Sequence, residues 1–215
     1  MPPVADIVSP LNASQRRFTD AVRALGPEFQ RRGFANDDEG KFPVENYADL
    51  KKAKLHAVNV PAAYGGLGGS YTDYATFSAE LARWCGATAL TFNMHAATMM
   101  WASKIVDDFD LPADAKKKHE ARRAKMYEKV VKEGAIFAQP FSEPNSAAAA
   151  GKAPFGTGAK RVDGGYLVNG MKHFASLSGY ADYYAVVCTE EDSDGMHDVK
   201  NTILIGVPAK TNGVR

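Results

Sequence analysis

The hydrophobic periodicity of this chain changes once, at Gly134, and that change limits what it can fold into. Upstream, apolar residues recur at helical spacing: Phe18, Val22, Leu25 and Phe29 mark one face, Tyr47 and Leu50 a second, and Tyr74, Phe77, Leu81 and Trp84 a third that Gly86 stops. Gly26-Pro27 should kink or split the first of these helices, because proline lacks an N–H and clashes with the preceding turn. Pro43 suits a helix start, the run 87–105 has the character of a buried helix, and Leu111-Pro112-Ala113-Asp114 opens another that runs to about Lys132. Downstream, short β-branched and aromatic runs near 135–141, 157–163, 165–170, 173–177, 182–189 and 202–208 alternate with Gly, Asp and Asn turns. Val162-Asp163-Gly164-Gly165-Tyr166 carries the Asp-Gly signature of a hairpin. The expectation is an α+β chain, with an all-α domain over 1–133 followed by an antiparallel β-barrel-like domain over 134–215.

Several function classes fall away on composition. A net charge of +1 over 215 residues gives no basic surface for nucleic acid or anionic membranes. The run Lys116-Lys117-Lys118, with Arg122-Arg123, is interspersed with Glu120 and Glu128 and reads as a solvated helix face. No apolar run approaches the length of a membrane span, and the start Met-Pro-Pro-Val-Ala-Asp has neither the charged nor the apolar region of an export signal. Cys85 and Cys188 share no motif, which predicts neither a disulfide framework nor a metal site and fits a reducing, cytoplasmic location.

Two stretches carry chemistry. The loop Val60-Pro61-Ala62-Ala63-Tyr64-Gly65-Gly66-Leu67-Gly68-Gly69-Ser70 is glycine-rich but lacks a Gly-Lys-Ser/Thr ending, so phosphate cradling is rejected. Its glycines are expected to permit positive backbone dihedrals in a tight connection between helices. The second stretch runs from Phe137 to Ser178 and contains Ser142-Glu143-Pro144, then Asn169-Gly170-Met171-Lys172-His173-Phe174-Ala175-Ser176. A flat, polar-rimmed ring such as isoalloxazine needs an apolar plate against a face and hydrogen-bond donors at its edge. Phe174 is a candidate plate, Ser142 and Ser176 are candidate donors, and Gln139 and Phe141 would present backbone groups to the edge.

In order and separation, these motifs resemble the Thr-Glu-Pro and Asn-Gly-x-Lys-x-Trp-Ile-Thr segments of the acyl-CoA dehydrogenase family, and the glycine loop is similar to that family's Val-Pro-Glu-x-Tyr-Gly-Gly-x-Gly. The resemblance extends from about Phe18 to Arg215. It implies FAD as cofactor, held by Gln139, Phe141, Ser142, Ala147, Ala148, Phe174 and Ser176, and an acyl-CoA substrate whose pocket is lined by Asn93, Met94, His95 and Ala148. It also implies electron-transfer flavoprotein or another acceptor as partner, homo-oligomeric assembly at full length, and α,β-dehydrogenation with hydride transfer to flavin N5. The family's catalytic carboxylate belongs to a C-terminal helical domain, and this chain ends at Arg215 before such a domain begins. No catalytic residue is therefore assigned; Glu80 and Glu143 read as helix-surface and turn carboxylates. The chain alone is expected to bind FAD weakly and to be inactive.

Departures from the family pattern leave alternatives open. Ala148 stands where the family has a serine hydroxyl, and Ser146 would replace it only if the loop slipped by two residues. Phe174-Ala175-Ser176 leans toward the flavin-dependent monooxygenases of the same superfamily, in which a histidine such as His95 can serve, although a lone histidine on an apolar helix is usually a hydrogen-bonded core residue. A third reading is a non-catalytic fragment or subunit that needs a partner chain, with exposed apolar surface as its interaction site.

Overall fold

In a computed structural model, which describes residues 10–104, 107–145, 147–192 and 198–215, the chain forms two compact units that divide after Gly134.

The helical unit is built from α1 (Ala13–Asp38), α2 (Val44–Lys52), α3 (Tyr71–Trp84), α4 (Gly86–Lys104) and α5 (Ala113–Glu133). Asn12 and Gln15 form a reciprocal capping box that starts α1, and Ser70 with Asp73 does the same for α3. Gly134, left-handed at φ 67°, ends α5. The expected break at Gly26-Pro27 does not occur: α1 runs through Pro27 without interruption. Burial of Phe18, Val22 and Phe29 along one face outweighs the lost backbone bond. Gly26 is needed for a different reason, since a Cβ there would lie 2.3 Å from the Trp84 ring of α3. The core of this unit gathers Phe18, Phe29, Tyr47, Leu50, Phe77, Leu81, Phe92, Met99 and Tyr127, each at most 1% exposed. The end of the run 87–105 lies at Ile105, outside the described residues.

The β unit, Ala135–Arg215, is one mixed sheet of β1 (Phe137–Ala138), β2 (Gly158–Val162), β3 (Gly165–Asn169), β4 (Tyr183–Glu190) and β5 (Thr202–Pro208). Two ladders are antiparallel: the β2–β3 hairpin, closed by Val162↔Gly165 around Gly164 at φ 78°, and β4–β5, registered from Tyr183↔Pro208 to Thr189↔Thr202. Two short pairings are parallel, β1 with β4 at Tyr183–Tyr184 and β2 with β4 at Thr189–Glu190. Because β5 occupies one edge of β4 along its length, β1 and β2 share the other edge, one at each end.

That topology places the motif region. The chain leaves the edge of β4 at Ala138 and rejoins it at Gly158, so residues 139–157 form one long excursion from the sheet. The excursion is pinned to β4: Phe155 donates its N–H to Thr189 Oγ1 (2.9 Å), Thr189 donates to the Thr157 carbonyl (3.0 Å), and Ala148 and Phe155 pack on Val187. The expected strand near 135–141 is accordingly only two residues long. The run 173–177 is not a strand either. It makes a single bridge at His173 and then turns, with Phe174 and Leu177 left-handed at φ 52° and 78°. An L-residue at positive φ cannot continue a ladder.

Candidate functional site

Ser142-Glu143-Pro144 and Lys172-His173-Phe174 meet in the β unit. His173 donates its backbone N–H to the Ser142 carbonyl at 2.8 Å, an isolated antiparallel bridge between the two motifs. One residue on either side, the Lys172 ammonium donates to Glu143 Oε1 at 2.7 Å, with side chains only 9% and 4% exposed. Glu143 also accepts the amides of Gly156 (2.7 Å) and Thr157 (2.9 Å). Burial by itself would raise the Glu143 carboxyl; the Lys172 ammonium and the hydrogen bonds from Thr157 and Gly156 outweigh it and hold the group at about 2. Lys172 further lies 3.5 Å from the Phe141 carbonyl and 4.5 Å from the centre of the Phe155 ring. Glu143 is thus a buried carboxylate with three hydrogen-bond partners rather than the turn carboxylate expected from its neighbour Pro144.

Around this anchor the remaining candidates differ in exposure. Phe174 is 86% exposed, held at φ 52° with its ring edge-on to His173. Ser142 and Ser176 are half-buried, and Ser176 donates its N–H to the Phe174 carbonyl at 2.9 Å. Phe141 packs edge-on against Phe155 at 5.4 Å. Gln139 is 8% exposed, and its Nε2 has no hydrogen-bond partner among the described residues. Ala147 donates to Asn145 Oδ1 and Ala148 is buried against the sheet, their carbonyls closing a turn at Gly151 and Lys152. Ser146 lies outside the described residues. Phe174 thus offers an exposed aromatic face next to the residue bridged to Ser142, while Gln139 carries a buried donor without a partner among the described residues.

Asn93, Met94 and His95 lie on α4 of the helical unit. Asn93 accepts from the Tyr74 hydroxyl at 3.1 Å, and Met94 is half-buried. His95 is 1% exposed, packs on Phe92, and its Nε2 lies 2.8 Å from the His56 carbonyl. A carbonyl only accepts, so Nε2 carries the proton, and burial lowers this imidazole to about 4. This is the hydrogen-bonded core role that an isolated histidine on an apolar helix usually has. Glu80, expected at the helix surface, is 6% exposed and gathers Arg23 (3.2 Å), Arg83 (3.6 Å) and Trp84 Nε1 (3.1 Å). Cys85 and Cys188 are buried free thiols, and burial raises Cys188 to about 11.

The glycine loop is built for close packing. Gly65 and Gly68 have φ 85° and 67°, and a Cβ on Gly66 would stand 2.2 Å from the Val60 carbonyl oxygen. The amides of residues 65–69 all bond to carbonyls of residues 57–62, so no cradle of free N–H groups faces outward. No helix among the described residues is long and apolar enough to cross a membrane.

Residues 12–106 match the family described as acyl-CoA dehydrogenase, N-terminal domain. Over 181 residues the chain is 29% identical to the putative acyl-CoA dehydrogenase YdbM of Bacillus subtilis, an alignment that covers 84% of this chain and 45% of YdbM. Over most of its length the chain is similar to acyl-CoA dehydrogenases. Solved structures share its fold. Butyryl-CoA dehydrogenase from Megasphaera elsdenii superposes with a TM-score of 0.74 at 24% identity, covering 96% of this chain and 51% of that enzyme. FMN-bound TdsC from Paenibacillus sp. A11-2, a dibenzothiophene monooxygenase, gives 0.73 at 22% identity, covering 92% and 45%. The chain spans about half the length of the curated relatives it matches.

Periodicity and spacing give Lys172, Gly156 and Thr157 no role beside Glu143. The signal was nonetheless present: a lysine inside one motif and a glutamate inside the other are complementary charges that a shared site would bring together.

Proposed function

We propose that this chain is the flavin-holding part of an acyl-CoA dehydrogenase-like oxidoreductase, with FAD as the flavin and an acyl-CoA thioester as substrate. The observation that supports this reading is the junction of the two motifs, where the His173–Ser142 backbone bond and the buried Lys172–Glu143 pair bring Ser142, Phe174 and Ser176 into one neighbourhood. A bound flavin supplies acceptance of the hydride that leaves the substrate β-carbon. The residues of the chain do the rest of the work at the ring. Phe174 would offer an apolar face, the Ser142 and Ser176 hydroxyls would donate toward the rim, and the buried Gln139 Nε2 would be a further donor. Donors fixed at the rim favour the negative charge that develops there and need no reorganisation as it does. Electron-transfer flavoprotein as acceptor, homo-oligomeric assembly and a cytoplasmic location belong to the same reading.

Titration of FAD and of FMN into the 215-residue chain, followed by flavin fluorescence and the visible spectrum, tests it. Saturable binding that weakens in Ser142→Ala and Ser176→Ala is expected. A chain that leaves both spectra unchanged refutes the reading.

A second reading, a flavin-dependent monooxygenase, is favoured by Phe174-Ala175-Ser176 and by Ala148 in place of a hydroxyl. It requires preference for reduced over oxidised flavin and oxygen consumption with a flavin reductase, whereas the dehydrogenase reading requires acyl-CoA-dependent reduction of an artificial acceptor.

A further inference from the structure

Three contacts from the second motif hold the segment around Ser142. Its carbonyl accepts from His173, and the residues flanking it, Phe141 and Glu143, both contact the Lys172 ammonium. Lys172 therefore straddles Ser142 and ties the residues on either side of it. Glu143 in turn is tied by the Gly156 and Thr157 amides, and Thr157 is bonded to Thr189 on the central strand β4. An unbroken path of hydrogen bonds thus runs from the most buried strand of the sheet to both motifs. At its far end Phe174, two residues beyond Lys172, is exposed and yet held left-handed, a conformation that a phenylalanine adopts only when its surroundings impose it. Its carbonyl accepts the Ser176 N–H, and the preceding residue, His173, is held by its bridge to Ser142 beside the Lys172–Glu143 pair.

We infer that Glu143 and Lys172 are positioning residues of the ring site: the pair sets the Ser142 hydroxyl and the left-handed turn at Phe174 in register with each other, so that a planar, polar-rimmed aromatic ring meets its edge donor and its apolar plate together. This rests on the flavin reading above. Neither side chain touches the ring; both act through Ser142 and Phe174. A site held within about half an ångström by its supporting groups binds and orients its ligand better than one left loose, and a misplacement of about 1 Å can cost roughly 100-fold.

The test separates positioning from simple stability. In Glu143→Gln/Lys172→Met no charge is left buried without a partner, so the fold is retained while the directed grip on Ser142 is lost. Urea unfolding reports stability, FAD titration reports affinity, and the visible spectrum and circular dichroism of bound FAD report ring orientation. Positioning predicts a double variant of near wild-type stability whose FAD affinity falls roughly 10–100-fold with an altered flavin spectrum. Retained affinity and an unchanged spectrum in that variant would overturn the inference. Glu143→Asp, which keeps both carboxylate oxygens and the charge opposite Lys172 but withdraws them by one methylene, provides the second comparison if the double variant does not fold, and an unchanged FAD affinity and flavin spectrum there overturns it equally. If the wild-type chain binds no flavin, the functional reading fails and the inference with it; if the wild type binds and both variants match it, only the inference fails.

Discussion

Removing the Lys172 ammonium should cost the β unit several kcal/mol at neutral pH and should reverse how that unit responds to acid. The Glu143 side chain is 4% exposed, and Lys172 is its one cationic partner among the described ion pairs. Breaking a buried pair by deleting one member costs about 3–5 kcal/mol, because the other charge stays buried. The carboxyl leads to a similar figure: holding it at about 2 rather than 4.5 corresponds to about 3 kcal/mol of folding stability. Because the folded value is depressed, this contribution is fully present above about 4.5 and is lost as the pH falls toward 2. In Lys172→Met the carboxyl loses the partner that lowered it, burial then raises it, and protonation relieves an uncompensated charge. The variant should therefore be about 3 kcal/mol less stable than wild type at pH 7, with the gap closing toward pH 3. Hydrogen exchange of the β4 amides reads this in the β unit itself, with and without urea. A gap that stays constant between pH 7 and pH 3 would refute the reasoning, because it would mean that the cost of the substitution is packing rather than charge.

Gly26→Ala should destabilise the helical unit by about 1–3 kcal/mol, since the added methyl meets Trp84 at 2.3 Å; the midpoint of thermal unfolding, followed by tryptophan emission, measures it. His95 gives the helical unit its own acid sensitivity. With the folded imidazole lowered to about 4 from 6.5, the unfolded state binds more protons between those values, so about 3 kcal/mol should be lost as pH falls from 6.5 to 4. Urea midpoints across that interval, flattened in His95→Gln, check the sign and the window. Phe174→Ala removes a ring that is 86% exposed and should leave stability within about 0.5 kcal/mol while weakening flavin binding, a separation that calorimetry and flavin titration read together. Gly170→Ala would bring a Cβ within 2.5 Å of Thr157 Oγ1, and should disturb the β2–β3 register and the Glu143 anchor, visible as faster amide exchange at Thr157.

The local pattern of the sequence determined most of the elements. Stripes at helical spacing located α2 to α5, capping residues at Asn12 and Ser70 started their helices, and the Asp163-Gly164 turn closed its hairpin. These features depend on neighbours within four residues or on a two-residue period, and such information is written in the chain itself. What tertiary structure alone decided is whatever depends on distant partners. Pro27 stays inside α1 because packing of Phe18, Val22 and Phe29 exceeds a local penalty. Residues 173–177 look like a strand, yet they turn, because His173 finds its single partner at Ser142 and the next residue goes left-handed. Glu80 and Glu143 read as ordinary exposed carboxylates until the fold surrounds them with arginines, a lysine and backbone amides contributed from as far as 57 residues away. A charge buried against a remote partner leaves no periodicity behind, and only the folded chain shows that Glu143 and Lys172 pair.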